Sequence, residues 1–243
     1  MNIFIYDGEK IEYKIKRSKR KTIGIKISPQ DGVILAVPIR CTDATIQHVL
    51  NKKASWIIKK KKMLQDRSNM LRDREFIDGE KLKLLGDDFD FNIIRGDFQK
   101  CSARFDTKGF TMYISNLVTV EEQKDAIKTS LNKLYREIAK RLFLDRTNYY
   151  SQILKLYPKR IVIKEQKTVW GSCSSKNNIN YNWRVIMAPI TIVDYIVVHE
   201  LCHLKYANHS KEYWQLVEKI IPEYRTYRDW LKENGMKLNI EKI

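Results

Sequence analysis

The sequence predicts an α+β protein: a β-rich module with one helix over residues 1–115, then a mostly helical domain with a small antiparallel sheet over residues 116–243. Three observations carry this. Apolar residues alternate with polar ones in short runs through the first part. Beyond Ser115-Asn116 the period changes to that of amphipathic helices. The 243 residues are 43% hydrophobic, enough to bury a core in one large or two small domains.

In chain order, Ile3 and Ile5, then Ile11, Tyr13 and Ile15, alternate about Asp7-Gly8, which reads as a hairpin. Ile23, Ile25 and Ile27 alternate through Thr22–Ser28, and Pro29-Gln30-Asp31-Gly32 turns the chain into Val33–Val37. A helix follows from Thr42 or Asp43 to about Gln65. Its apolar positions Ile46, Val49, Leu50, Trp56, Ile57 and Leu64 keep a helical period, with lysines opposite. Leu82–Ile94, broken at Gly86-Asp87, gives another hairpin. Cys101–Phe105 and Phe110–Ile114, joined across Thr107-Lys108-Gly109, give one more. No repeat of fixed length is evident.

The second part opens with a long amphipathic run from Val120 to about Leu156, which Pro158 ends. Ile161–Ile163 is β-prone, and Asn177-Asn178 turns the chain into a strand through Tyr181 and Trp183. Thr191 and Asp194 then read as a capping box, with Pro189 upstream and Ile190 as a staple. The helix they would start is apolar nearly all round and so belongs in the core. Ser210 can cap a further helix that Pro222 ends, and a last one runs from about Glu223 to Glu233 before Gly235.

The core helix carries His199-Glu200-Leu201-Cys202-His203, and His209 comes six residues later. Side chains four apart on a helix share a face, so His199 and His203 can point at one ion. Glu200 lies about 100° around the helix, within reach of a water on that ion. Bringing His209 back requires a turn, for which Asn208 tolerates the left-handed conformation. Three imidazoles with one open position suit catalytic zinc, or another divalent cation; structural sites are closed and cysteine-rich. Three of the chain's four histidines fall in these eleven residues, whereas His48 sits among lysines as a solvated face residue.

The four cysteines are far apart and form no Cys-x-x-Cys pair, which fits reduced thiols and a cytoplasmic chain rather than a disulfide framework. Cys202 faces away from the imidazoles and reads as packing. No apolar run reaches membrane-spanning length, and the N-terminus lacks a signal-peptide core. The net charge of +17 favours anionic partners, nucleic acid among them. It concentrates in Lys14-Lys16-Arg17-Lys19-Arg20-Lys21, Lys52-Lys53 and Lys59-Lys60-Lys61-Lys62.

The stretch Val169-Trp-Gly-Ser-Cys-Ser-Ser, then Ile179-Asn-Tyr-Asn-Trp-Arg, Ala188-Pro, the His199 motif, Asn208-His-Ser and Tyr213-Trp resembles the YgjP-like metallopeptidase-domain family, a relative of SprT-like and wider zincin proteins. The segment from Lys21-Thr-Ile-Gly-Ile through Val37-Pro to the Trp56 helix is similar too. The resemblance implies a minimal zincin-like domain, His199, His203 and His209 as ligands, and Glu200 as the catalytic carboxylate. Val169 departs from it where a basic residue is expected, and Tyr206 stands where metzincins need glycine.

These residues point to a zinc-dependent hydrolase of metallopeptidase type, with Glu200 as general base. Tyr206, Tyr213 and Arg184 are the candidate oxyanion donors. The resemblance also implies a second reading, a nucleoside triphosphate (UTP) pyrophosphatase. A third is a basic nucleic-acid-binding module with a non-catalytic metal. The substrate is accordingly a peptide or a nucleotide.

Overall fold

The computed structural model describes residues 2–28, 31–69, 73–166 and 169–241, with side chains left undescribed over 65–69. Pro29 and Gln30 of the expected turn, and Lys167 and Thr168, lie outside the described residues. The chain forms two compact units, Met1–Arg72 and Asp73–Ile243.

In the first unit, strands β1 (Asn2–Tyr6), β2 (Glu9–Ser18), β3 (Gly24–Ser28) and β4 (Gly32–Pro38) form one sheet in the order β1-β2-β4-β3. The Asp7-Gly8 hairpin is present. Both residues have positive φ (51° and 79°), as the tight turn between right-twisted strands requires. β2 and β4 run parallel, a pairing between non-consecutive strands. Helix α1 (Asp43–Asn69) comes next; its start is capped where Thr42 Oγ1 accepts from the Thr45 N–H at 3.3 Å.

Alternate residues of β2 and β4 (Ile11, Tyr13, Val33, Leu35, Val37) and one stripe of α1 (Ile46, Leu50, Ala54, Ile57) make the core. Trp56, expected on that apolar stripe, lies outside it and is 48% exposed. His48 is exposed, as its lysine-rich surroundings suggest.

The second unit begins before the expected boundary at residue 115. β5 (Lys81–Leu84), β6 (Asp87–Gly96), β7 (Ser102–Asp106) and β8 (Gly109–Ser115) form a sheet in the order β5-β6-β8-β7. Their inward residues share one core with the later helices, and Phe110 stacks on Tyr135 with ring centroids 5.3 Å apart. Arg74, buried, closes this unit: its Nε donates to the Ile240 carbonyl and its guanidinium to the Lys81 carbonyl. Residues 81–115 therefore belong with the second unit.

Helix α2 (Val120–Leu154) starts at a reciprocal Thr119/Glu122 capping box and ends where Lys155 turns left-handed, ahead of Pro158. Its buried residues recur every fourth position from Ile127 to Ser151. Against it lies a three-stranded sheet of β9 (Arg160–Lys164), β10 (Gly171–Cys173) and β11 (Asn178–Asn182), in the order β10-β11-β9. This sheet is mixed rather than antiparallel: β10–β11 is antiparallel, β11–β9 parallel. Phe143 of α2 stacks on Tyr181 of β11 at 4.3 Å. α2 thus fixes the sheet's position.

A 3₁₀ turn (Trp183–Met187) leads into α3 (Ile190–Cys202), then α4 (Lys211–Ile220) and α5 (Tyr224–Asn234). The expected capping box at Thr191 is absent. Pro189 occupies the cap position without a side-chain bond, and Asp194 instead receives two short bonds (2.6 and 2.7 Å) from Arg146 of α2. A charge-assisted bidentate pair outcompetes a local cap. No described helix is long and apolar enough to cross a membrane.

Candidate metal centre

α3 is buried through Val197, Val198, Leu201 and Cys202, so the histidines rise from a fixed platform. The burial that packs the Cys202 thiol also pushes it up to about 12, which leaves it an inert packing group. His199 stands on the last full turn and His203 is the residue that ends the helix. His209 lies in the connection to α4, directly before Ser210, whose hydroxyl accepts from the Tyr213 N–H at 3.4 Å. That cap sets where His209 leaves the chain. Asn208 does not take the left-handed conformation; the return is made without a positive φ. The expected turn is made, by other means than the expected residue.

One ring nitrogen from each of His199, His203 and His209 lies within 4.8 Å of the other two. His203 Nδ1 is 3.0 Å from the Tyr206 carbonyl, so Nδ1 donates and Nε2 keeps its lone pair. His199 Nε2 and His209 Nε2 face one another at 3.2 Å. Burial, then the neighbouring His203 and His209, push His199 down to about 3. Burial, then His203, lowers His209. His199 and His209 are therefore held toward the neutral form, with ring lone pairs to present.

These observations test the fit of a cation. Ligands about 2.05 Å from a tetrahedral zinc stand about 3.3 Å apart, which the His199–His209 separation matches. The donor set, three convergent imidazoles, is the chemistry zinc selects. The residues present fit the ion.

Two aromatic residues brace the rings. Tyr213, fully buried, donates its hydroxyl to the His199 carbonyl at 3.0 Å and stacks on His203 at 4.6 Å. Trp214 stacks on His209 at 5.4 Å and is itself stacked on Tyr224. The sequence offers Tyr213 as an oxyanion donor, but its hydroxyl is committed to the backbone. Arg184 pairs with Glu165 at 2.6 Å, and Tyr206 packs against the core. None of the three lines the cleft.

Glu200 is 3% exposed, and its Oε2 has no partner among the described residues. Burial pushes this carboxyl up to about 8. Strand β10 crosses directly over it: a Cβ on Gly171 would stand 2.5 Å from Glu200 Oε1 and 2.7 Å from its Cγ. Only glycine permits this approach. Sequence reasoning misses Gly171's role, although a glycine inside a strand is the signal for it.

A cleft of about 440 Å³ opens onto His199, His209 and Glu200, walled by Trp170, Gly171, Tyr195, Trp214 and Arg228. Tyr195 precedes His199 by one turn on the same face, with ring centroids 5.8 Å apart. Burial pushes its phenol up to about 12, so it remains a hydrogen-bond donor.

A crystal structure of the metallopeptidase zymogen of Pyrococcus abyssi abylysin shows 27% identity over 36% of this chain and 89% of that one. Its TM-score of 0.34 is too low to bear on the fold. No curated protein matches significantly. The YgjP-like, metallopeptidase domain family model, in contrast, matches residues 21–234. That span takes in β3, β4 and α1 of the first unit as well as the histidine cluster, and the chain belongs to the YgjP-like metallopeptidase-domain family.

Proposed function

We propose that this chain is a zinc-dependent peptidase in which His199, His203 and His209 hold the metal and Glu200 moves the proton. The observation that carries the reading is the pairing of three convergent imidazoles with a buried carboxylate oxygen left without a partner among the described residues. An unsatisfied carboxylate in the interior is costly, and a polar group kept at such cost suits a catalytic role.

Zinc bound there supplies Lewis acidity and brings the pKa of water near neutrality. Beside a cation held by the three histidines, the Glu200 carboxyl is drawn back toward its ionised form. As the carboxylate it takes the proton of the attacking water at Oε2 and delivers it to the departing amine nitrogen. Tyr195 and Arg228, rather than Tyr206, Tyr213 or Arg184, stand in the cleft where charge develops on the carbonyl oxygen. Tyr213 holds His199 through its backbone and His203 through its ring. Among the described strands β10 pairs with β11 alone, so its outer edge can accept an extended peptide as an added strand beside Glu200.

The zinc-loaded protein, incubated with an unfolded polypeptide and followed by mass spectrometry, will yield cleaved peptide bonds that a chelator suppresses. Glu200→Gln will keep one equivalent of metal by elemental analysis and lose about 10²–10⁴-fold in turnover. Undiminished turnover in Glu200→Gln overturns the carboxylate's role. Hydrolysis confined to nucleoside triphosphates overturns the substrate class.

A further inference from the structure

The chain's charge is unevenly shared. Residues 1–72 hold seventeen Lys and Arg against six Asp and Glu, a net +11 of the chain's +17. The metal centre lies wholly in the other unit, so this charge is not accounted for by the hydrolase reading.

The charge has an organised core on α1. Taking Trp56 as the reference, Lys52 and Lys60 stand one turn away on either side along the helix. Lys53 and Lys59 stand three residues away. At 100° per residue all four fall within about 60° of Trp56 around the axis. Trp56 is exposed, and it is the one large exposed apolar side chain among those described on α1. None of the four lysines has a carboxylate partner within 4.0 Å among the described residues. The adjoining stripe, Ile46, Leu50, Ala54 and Ile57, lies about 80–160° around the axis from Trp56 and is consumed by the unit's own core.

An indole face framed by ammonium groups is the arrangement that binds a flexible polyanion carrying flat rings. We propose that the Trp56 face of α1 binds single-stranded nucleic acid, a base stacking on the indole while Lys52, Lys53, Lys59 and Lys60 take the flanking phosphates. A duplex has no free base face to offer Trp56. An anionic membrane would need an apolar stripe to insert, and α1 has buried its own. The span from Lys52 to Lys60 is about 12 Å at 1.5 Å per residue, room for a few nucleotides.

Fluorescence anisotropy of the full chain with labelled dT and rU oligomers of fifteen nucleotides tests this, with a duplex of the same length and phosphatidylserine vesicles alongside. Binding to one or both single strands is expected in the presence of a chelator. For four phosphates the logarithmic salt slope is about −3, or a fall of about 50-fold between 50 and 200 mM salt. The dT and rU arms distinguish DNA from RNA. Trp56→Ala should weaken binding about 10-fold or more, with Trp56→Phe recovering most of it. Lys52→Glu with Lys60→Glu should lower the slope by about 1.4. Equal binding of Trp56→Ala, a duplex preferred over single strands, binding to vesicles alone, or no binding at 50 mM salt would each overturn the proposal.

Discussion

Residues 2–69 and residues 81–154 each run four strands into a helix, with the same strand order and the same parallel central pair. Their first hairpins turn alike, through Asp7-Gly8 in one and Leu85-Gly86 in the other, all four residues at positive φ. What differs is the neighbourhood. The first turn is open, since a Cβ on Gly8 would meet nothing within 4 Å. In the second, the Leu85 N–H donates to the Ile186 carbonyl at 2.7 Å, and Gly86 lies against Pro189, the residue that starts α3. A leucine at φ 53° is costly and persists where surroundings over-determine it. The same scaffold is thus left plain in one unit and built over in the other. Sensitivity to change should track what is built on it.

Metal removal should divide the two units most sharply. A cation present at a thousand times its dissociation constant stabilises the folded state by about 4 kcal/mol. Chelation should therefore lower the unfolding transition of residues 73–243 and leave that of residues 1–72 in place, as hydrogen exchange resolved by segment can show. Equal loss of protection in both units would break the comparison.

Next in size is a pair of strand glycines. Gly171→Ala forces the Glu200 carboxylate aside and should cut turnover about 10²-fold with metal content unchanged. In the first unit, Gly24→Ala meets only the end of the Arg20 guanidinium, which can swing away. Its turnover and melting should match the wild type. After that come the turn glycines. Gly86→Ala combines φ 95° with Pro189 backbone atoms 3.1 and 3.2 Å from the new Cβ. It should cost about 2–3 kcal/mol in a denaturant titration, against about 1 kcal/mol for Gly8→Ala in its open turn.

The reach of the sequence divides in the same way, between local and distant causes. The His199-Glu200-Leu201-Cys202-His203 spacing, the turn at Asp7-Gly8 and the Ser210 cap are local, and each is found where expected. The errors come from partners far along the chain. Asp194 has the spacing of a cap, but Arg146, forty-eight residues earlier, claims it. The change of period near residue 115 is real and yet marks no boundary. Whether β5–β8 belong forwards or backwards depends on contacts such as Phe110 with Tyr135, which no period records. The topological repeat is invisible in the sequence because strand order is kept while side chains are not. Tyr213 and Gly171 lie within the stretches that carry the resemblance, but their roles rest on a backbone carbonyl and a carboxylate brought to them by folding.

The smallest expected effect bears on the first unit's tryptophan. Helical periodicity counts Trp56 with the core, and a core tryptophan truncated to alanine costs about 3–5 kcal/mol. Trp183, fully buried in the second unit, is such a residue, and Trp183→Ala should show that loss. Trp56 is half exposed and belongs to no core cluster, so Trp56→Ala should change stability by no more than about 0.5 kcal/mol. The near-zero result is the informative one. It would show that a large apolar side chain is kept among lysines without helping the unit to fold, which leaves contact with something outside the unit as its use. A Trp56→Ala loss on the scale of Trp183→Ala would return the residue to the core, and the lysines around it would then be an ordinary solvated face.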